Sequence, residues 1–209
     1  MNAASARALP STRFARRRER TRRELLAAAT GVLARKGLAD TKIADIAAAA
    51  DVGVGTVYLH FATKEALVAA VVEDAVARMK AAIDAARDAA HDPVAKVRAA
   101  NAALCRFARE NREVFRIVFG HAAAHHDVIR RAQDLFAADV AETIRAGIAS
   151  GAFKPVPVEP AAQAAVGMAT QLLSWWTAHQ AVPIEVLEQT MATLALEGLR
   201  TRAEDERSR

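Results

Sequence analysis

The chain has 209 residues, of which 53% are hydrophobic and only 5% aromatic, and its formal net charge is +5. Much of the apolar content is alanine, while Gly (9) and Pro (6) are few, a composition that favours packed helices over sheets. No apolar run is long enough to cross a bilayer, no secretion signal is recognised, and the single Cys105 excludes an intrachain disulfide. We therefore expect a cytoplasmic protein.

Positive charge is concentrated at the start of the chain. Residues 1–23 contain eight arginines and one glutamate, a local net charge of +7, so the rest of the sequence sums to −2. A basic segment on a nearly neutral chain indicates a polyanionic partner bound at one end. The alternative is a solvated leader without a partner. We expect residues 1–16 to form a disordered basic arm.

The first helix is predicted over 17–36, because Leu25, Ala29 and Val32 recur at the spacing of one helical face. Gly37 follows directly, and glycine is the typical residue of a left-handed cap at the end of a helix. The pattern therefore predicts a helix of about five turns that buries one apolar stripe.

A second, shorter helix is predicted over about 42–49, where Ile43 and Ile46 lie on one face. Thr41 precedes it as a candidate N-cap. The apolar pattern then stops at Asp51, and aspartate is one of the few residues besides glycine that tolerate a left-handed backbone. This sequence predicts a sharp turn between two helices.

A third helix is predicted from residue 53 or 54 to residue 60. Val57 faces inward in this helix, whereas Tyr58 and His60 stay available on the outside. Two helices joined by a turn of three or four residues form the helix-turn-helix unit, whose second helix fits the major groove of DNA. The segment therefore predicts a DNA-binding element.

The same segment carries a recognisable signature. Residues 52–61 read Val-Gly-Val-Gly-Thr-Val-Tyr-Leu-His-Phe, and residues 63–67 read Thr-Lys-Glu-Ala-Leu. This arrangement resembles the DNA-binding signature of TetR-family transcriptional regulators. The resemblance implies an all-α fold of about nine helices, with a helix-turn-helix DNA-binding domain at 17–64 and a helical bundle at 65–205 for effector binding and dimerisation.

The resemblance also implies which residues contact DNA. Polar residues of the helix-turn-helix are expected at phosphates, and the small and apolar residues of its second helix are expected to line the groove-facing surface. The residues expected at the DNA surface are Arg17, Arg18, Thr41, Lys42, Gly53, Val54, Gly55, Thr56, Tyr58, Leu59, His60 and Lys64.

The remaining sequence predicts further helices and one extended connector. A long fourth helix begins after the cap Thr63, and Pro93 suits the first turn of the fifth. The two prolines of 152–158 indicate an extended connector. The helices are predicted from 64 into the 80s and over 93–110, 114–119, 127–150, 160–179 and 183–202.

The last two predicted helices need a partner surface. The helix at 160–179 is apolar nearly all round, and the helix at 183–202 shows a narrow apolar seam. The alternative is that both complete a monomeric core. The resemblance implies that the pair packs against a second copy as a homodimer. The residues expected there are Leu172, Trp176, Leu187, Met191 and Leu194.

The fourth to eighth predicted helices are expected to enclose an effector cavity. The residues expected to line it are Asn101, Leu104, Phe119, Met168, Gln171, Leu172 and Trp175. This set is mainly apolar with a few amides and contains no Arg or Lys. It therefore predicts a hydrophobic, neutral or weakly charged small molecule rather than a phosphate or a metal ion.

Other chemistry has little support in the sequence. His121, His125 and His126 cluster beside Asp127, and zinc binding there is the alternative to a polar loop. Cys105 fits a small core residue better than a redox sensor. No nucleophile has a patterned base and no glycine-rich phosphate loop occurs. We expect no enzyme activity, no cofactor and no metal.

These expectations combine into one functional hypothesis with one alternative. The hypothesis is a sequence-specific transcriptional regulator that binds double-stranded DNA at an inverted repeat and acts as a repressor until a small hydrophobic effector releases it. The alternative is a constitutive or architectural DNA-binding protein without a ligand.

Overall fold

The computed structural model describes residues 10–112, 114–115, 126–179 and 181–199. Within these ranges every regular element is an α-helix, which confirms the predicted all-α fold. The short helix predicted at 114–119 lies largely outside them. The helices are α1 (Pro10–Asp40), α2 (Ile43–Ala49), α3 (Val54–His60), α4 (Lys64–Asp88), α5 (Pro93–Glu110), α6 (His126–Ala149), α7 (Val158–Ala178) and α8 (Ile184–Leu199).

The first helix begins earlier than predicted. α1 starts at Pro10, so the expectation of disorder up to residue 16 is wrong for residues 10–16, while residues 1–9 lie outside the described chain. Proline is favoured at the start of a helix, and the arginines and alanine that follow are good helix formers. The helix is interrupted at Gly37, whose φ of 76° is positive as predicted.

The start of α2 is held by charged groups rather than by Thr41. Lys42 is the N-cap residue, and its backbone N–H donates to Asp45 Oδ2 at 3.0 Å. The other oxygen of Asp45 lies 2.8 Å from Lys36 Nζ on α1. The hydrogen bond from Lys36, followed by that from the Lys42 backbone, lowers the pKa of Asp45. These contacts tie the first turn of α2 to α1.

The turn between α2 and α3 adopts the predicted left-handed backbone. Asp51 has a φ of 52°. The Val52 N–H donates to the Ala47 carbonyl at 3.0 Å, which closes the end of α2. Gly53, with a φ of −69°, is the N-cap of α3. The two helices therefore form the helix-turn-helix that the sequence predicted.

The N-terminal unit has its own hydrophobic core. The chain divides into two compact units, Met1–Val71 and Val72–Arg209. The boundary differs from the one predicted after Lys64, because the first turns of α4 pack into the N-terminal core. The buried residues of this core are Leu25, Leu26, Ala29, Val32, Ile46, Ala47, Val57, Phe61, Leu67, Ala70 and Val71.

The C-terminal unit is a bundle of helices with two buried clusters. α6 packs extensively on α7, and α5 packs on α8. One cluster joins α5, α7 and α8 around Trp176 and Met191, and the other joins α6 and α7 around Ile144 and Val166. Within the described residues, no helix is both long and apolar enough to cross a membrane.

Candidate DNA-binding surface and effector cavity

α3 exposes an unusual set of side chains. Tyr58 is 52% exposed and Leu59 is 76% exposed, and Val54 is exposed as well. Val57, on the opposite side of the same helix, is fully buried in the N-terminal core. The helix is thus anchored by one face and presents a mixed apolar and aromatic face to the outside.

Two glycines extend this exposed face. A Cβ atom at Gly53 or at Gly55 would meet no other atom within 4 Å. Gly53 has a φ of −69°, which any residue adopts, and no positive φ is recorded for Gly55. The fold itself therefore does not require glycine at either position. The absence of side chains leaves room for another molecule to approach the backbone closely.

A cationic edge lies beside the end of α3. Burial lowers the pKa of His60, and the positive charges of Arg18 and Arg22 on α1 lower it further. The Arg22 guanidinium also lies 5.3 Å from the centre of the Phe61 ring. His60 is consequently neutral at pH 7, and the positive charge at this edge comes from α1.

The N-terminal part of α1 is exposed over a long stretch. Every residue from 13 to 20 is exposed, including the predicted Arg17 and Arg18. Arg20 pairs with Glu24 at 3.4 Å, one helical turn away. An arginine-rich helical segment with no apolar face to bury remains available to an anionic partner.

Two of the predicted DNA-contacting side chains serve the fold. Thr41 is only 1% exposed, and its hydroxyl donates to the Gly37 carbonyl at 2.5 Å. Its side chain is therefore not available to DNA, and that prediction is wrong for a physical reason, namely burial. Lys64 Nζ donates to the Leu38 carbonyl at 2.5 Å, so it ties the start of α4 to the end of α1. Lys42 is exposed, and Thr56 is half-buried.

The C-terminal unit encloses a cavity of about 190 Å³. α4 contributes a stripe of apolar side chains, Val72, Val76, Met79 and Ile83, at steps of three and four residues. α5, α6 and α7 supply further apolar side chains, and α8 adds two positions at its end. Residues of five helices, together with Val114 and Phe115, therefore build the wall.

The structure places the predicted cavity residues in two groups. Asn101, Leu104 and Met168 line the cavity, whereas Gln171 and Leu172 do not. Trp175 is also absent from the wall, and Phe119 lies outside the described residues. The error at 171–175 is one of helical phase, since one residue turns the side chain by about 100°. Thr170 and Leu173 line the wall instead.

The two tryptophans occupy the reverse of the predicted positions. Trp176 is 1% exposed and donates its Nε1–H to the Val182 carbonyl at 2.9 Å, so it belongs to the core. Trp175 is 41% exposed, and its ring stacks on His179 with ring centres 4.3 Å apart. The predictions that Trp175 faces the ligand and that Trp176 faces a second copy are therefore wrong.

Charged side chains also line the cavity, whereas the predicted set of lining residues contains no Arg or Lys. Arg87, Lys96 and Asp139 are part of its wall. Lys80 Nζ lies 2.6 Å from Asp139 Oδ2 and 2.9 Å from Asp84 Oδ2. Burial alone would lower the pKa of Lys80, but its hydrogen bonds to Asp139 and Asp84 outweigh that effect and raise it. This network links α4 to α6.

The residues predicted at the dimer interface fall into buried, half-buried and exposed positions. Leu187 and Met191 are buried in the core of their own chain, like Trp176, and are not available to a second copy. Leu194 is 57% exposed, and Val186 is exposed on the same helix. Leu172 is half-buried and packs on the core. The large apolar side chains exposed on α7 and α8 are therefore Trp175, Val186 and Leu194.

Glycines lie on the same two helices. A Cβ atom at Gly167 of α7 or at Gly198 of α8 would meet nothing within 4 Å, and both residues are exposed. The packing of the single chain does not explain their small size. Close approach of another helix would explain it, since small residues allow two backbones to come together.

Two further candidate sites were considered in the sequence, Cys105 and the histidine cluster at 121–126. Burial raises the pKa of Cys105 to about 12, so the thiol stays protonated and packs as a small apolar residue. His121 and His125 lie outside the described residues, as does the side chain of His126. Among the side chains that the structure describes, no group of three or more His, Cys, Asp and Glu is placed to hold a metal ion.

Sequence reasoning missed Arg87 and Lys96. A local signal existed, because both residues fall near the Asp92-Pro93 break, where one helix ends and the next begins. Only residues 89–92 separate the two helices, and both side chains line the cavity. The stacked pair Trp175 and His179 had a signal as well, since residues four apart lie on one helical face.

The chain matches two family descriptions. Residues 25–71 match bacterial regulatory proteins of the tetR family, and residues 90–199 match the tetracyclin repressor-like C-terminal domain. Among curated proteins, no sequence matches the chain significantly.

Several solved structures share the fold. The fatty acid degradation regulator FadR from Bacillus halodurans is 21% identical with a TM-score of 0.73, covering 87% of this chain and 97% of its own. A bacterial regulatory protein of the tetR family from Rhodococcus RHA1 is 26% identical with a TM-score of 0.68, over 87% and 98%. The transcriptional regulator FadR from Bacillus subtilis in complex with stearoyl-CoA is 17% identical with a TM-score of 0.71, over 84% and 97%.

Proposed function

This chain belongs to the TetR family of bacterial regulatory proteins, and on that premise we propose that it is a homodimeric repressor released from its operator by a small molecule. Membership makes it a DNA-binding transcriptional regulator and not an enzyme. The proposal adds three parts: the surface that contacts DNA, the face that joins two copies, and the cavity that holds the effector.

The exposed face of α3 is the observation that carries the DNA-binding part. Tyr58 and Leu59 project from this face, and the bare backbone at Gly53 and Gly55 allows a close approach to a groove wall. Apolar side chains in the major groove contact thymine methyl groups, and a tyrosine hydroxyl donates to a phosphate. Gly53, Val54, Gly55, Thr56, Tyr58, Leu59 and His60 are therefore proposed at the major groove.

Phosphate contacts are assigned to the basic edge formed by α1. Arg17 and Arg18 are exposed, and Lys42 is exposed at the start of α2. Arg18 and Arg22 are close enough to His60 to lower its pKa, which puts their charges beside α3. Cations beside a groove-facing helix fix the register of a protein on the duplex.

The homodimer is proposed through the exposed apolar face of α7 and α8. Trp175, Val186 and Leu194 would be covered by the same residues of a second copy, as a two-fold interface requires. Gly167 and Gly198 would allow the helices to come close. Two heads related by a two-fold axis read two half-sites in opposite directions, so the operator is expected to be an inverted repeat.

The cavity is proposed as the effector site, and α4 is proposed as the helix through which a bound effector changes the DNA-binding unit. Val72, Met79 and Ile83 of α4 line the cavity, and Leu67 and Val71 of the same helix belong to the core of the N-terminal unit. A ligand that prefers a shifted α4 therefore acts on the packing behind α3. Its effect on DNA affinity is limited by its differential affinity for the two positions of the helix.

The effector is proposed to have a largely apolar body. Most of the cavity wall is aliphatic or aromatic, which suits an apolar ligand oriented by a few polar groups. The Bacillus subtilis protein of this fold was solved with stearoyl-CoA. A long apolar chain is therefore compatible with this architecture.

Fluorescence anisotropy with the DNA upstream of the coding sequence tests the regulator. Affinity for that DNA should exceed affinity for a scrambled duplex by at least about a thousandfold. Tyr58→Ala should weaken specific binding by about 1–3 kcal/mol, and Tyr58→Phe separates the hydroxyl from the ring. Equal affinity for both duplexes would favour the alternative, an architectural DNA-binding protein.

Release by an effector needs a separate measurement. Apolar compounds that raise the melting temperature of the free protein should also lower the anisotropy of the DNA complex. If no compound of a broad apolar panel alters DNA affinity while the protein still binds its operator specifically, the protein is a constitutive regulator and the effector part of the proposal fails.

A further inference from the structure

The wall of the cavity is not uniform along its length. Phe107, Phe115 and Leu173 form an apolar region, whereas Arg87 and Lys96 are the cations of the wall. Arg87 lies in the last turns of α4 and Lys96 in the first turn of α5, and only residues 89–92 separate the two helices. The cations therefore share the end of the cavity that is next to this connection.

Ion pairs neutralise most of the charge at this end. Arg87 Nη2 lies 3.1 Å from Asp84 Oδ1, and Arg87 Nη1 lies 3.7 Å from Asp139 Oδ2. Lys80 bonds both of these carboxylates. The two cations, Arg87 and Lys80, are thus matched in charge by the two carboxylates. Lys96 is an additional positive charge.

Lys96 has no partner within the chain that the structure describes. Its backbone N–H donates to the Asp92 carbonyl, but its side chain has neither a hydrogen bond nor an ion pair there. The nearest carboxylate in sequence, Asp92, accepts instead from the Ala95 N–H at 2.9 Å and caps α5. Lys96 is a half-buried residue that lines the cavity, so an anion bound there would supply the ion-pair partner that its side chain lacks within the described residues.

We infer that the effector is an amphipathic anion, with an acidic head group at Lys96 and Arg87 and an apolar tail directed toward Phe107 and Phe115. This inference rests on the proposed effector site and specifies its ligand class. The Asn101 amide lies in the same wall and has no side-chain partner among the described residues, so it is available to the head group. The shared chemistry is a carboxylate or a phosphate on a hydrocarbon chain.

The size of the cavity limits the tail. The volume is about 190 Å³, and a cavity of about 150 Å³ holds one benzene. A short alkyl chain therefore fits the cavity as it stands. A longer chain has to displace side chains of the wall, and the α4 stripe of Val72, Val76 and Met79 is part of that wall.

Four compounds with the same eight-carbon chain distinguish the contribution of the head group to affinity from that of the tail. Octanoate, octyl phosphate, octanol and octyltrimethylammonium would be titrated into the full-length protein by calorimetry, and into its DNA complex by anisotropy. At least one anion should bind about tenfold or more tightly than octanol, and the cation should bind most weakly. Preference for octanoate or for octyl phosphate identifies the head group.

Lys96→Met removes the charge and keeps an unbranched side chain that is one atom shorter. This variant should bind octanol like the wild type and should bind the anions no more than about threefold better than octanol. Arg98→Met is the matched control, because Arg98 is exposed on the same helix and does not line the cavity. It should retain the wild-type preference.

Each failure has a separate meaning. If octanol binds the wild type as tightly as both anions, or if the preference persists in Lys96→Met, the head-group assignment is overturned while the cavity remains an effector site. If none of the four compounds binds, this inference is overturned, and the broad apolar panel described above decides separately whether the cavity is an effector site. A thermal melt of Lys96→Met like that of the wild type establishes that a lost preference reflects the ligand and not folding.

Discussion

Gly55 offers a test in which stability and DNA binding should change in opposite directions. A Cβ atom at this position meets no atom within 4 Å, and Gly55 lies inside α3. Replacing an exposed helical glycine by alanine stabilises a helix by about 0.5–1 kcal/mol. Because Gly55 is in the first turn of a short helix, the lower end of that range, about 0.5 kcal/mol, is expected for Gly55→Ala.

The same methyl group should weaken DNA binding. If the backbone of α3 lies against the groove wall, an added methyl forces the two surfaces apart, and overfilling a close contact costs about 1–3 kcal/mol. That energy corresponds to a loss of affinity of about fivefold to 150-fold for each head. Urea denaturation measures the stability, and anisotropy on the operator measures the affinity.

Gly31→Ala is the matched control. Gly31 lies in the middle of α1, and its added Cβ would be 3.4 Å from Arg35 Nη1, an ordinary contact. This variant should gain stability and retain full DNA affinity. The assignment of the α3 face would be refuted if Gly55→Ala also retained full affinity. A loss of stability in Gly55→Ala would instead contradict the open space at that position.

Three further results are expected. Leu194→Asp should sediment as a monomer, because it places two like charges at the proposed two-fold face. The control Leu135→Asp, at an exposed position of α6, should remain a dimer. Operator affinity should rise as pH falls from about 7.5 to 6. Burial and nearby arginines lower the pKa of His60 in the free protein, whereas DNA phosphates raise it in the complex, so DNA binding takes up a proton. His60→Gln should flatten this pH dependence. Lys64→Met should lower the free energy of unfolding by about 1–2 kcal/mol, since it leaves the Leu38 carbonyl without its donor, and an unchanged melt would return Lys64 to a purely DNA-contacting role.

The sequence predicted best those features that depend on neighbouring residues. The left-handed backbone at Asp51 and the place of Pro93 in the first turn of α5 are local, since the residue type decides them. The buried faces of α1 and α3 followed from regular spacing, and packing confirmed them at Leu25 and Val57.

The errors arose where the choice depended on distant residues. α7 is apolar nearly all round, so periodicity does not distinguish Trp175 from Trp176, and the contact of Trp176 with Val182 decides which side is buried. Thr41 and Lys64 were judged by their place in a motif, whereas their hydrogen bonds go to the carbonyls of Gly37 and Leu38. The residues that line the cavity come from five helices and from Val114 and Phe115, and only the tertiary structure brings them together.

The sharing of α4 between two cores bears on how the protein folds and how it can be divided. A fragment cut after Lys64 contains the whole helix-turn-helix signature but lacks Leu67, Ala70 and Val71, which are buried in the N-terminal core. Each large apolar side chain removed from such a core lowers the free energy of unfolding by about 1.5–3 kcal/mol, a sizeable share of the total stability of a small domain. An autonomous DNA-binding fragment must therefore extend past Val71. In the intact chain, residues 67–71 of α4 complete the N-terminal core, and the residues of α4 from Val72 onward line the cavity.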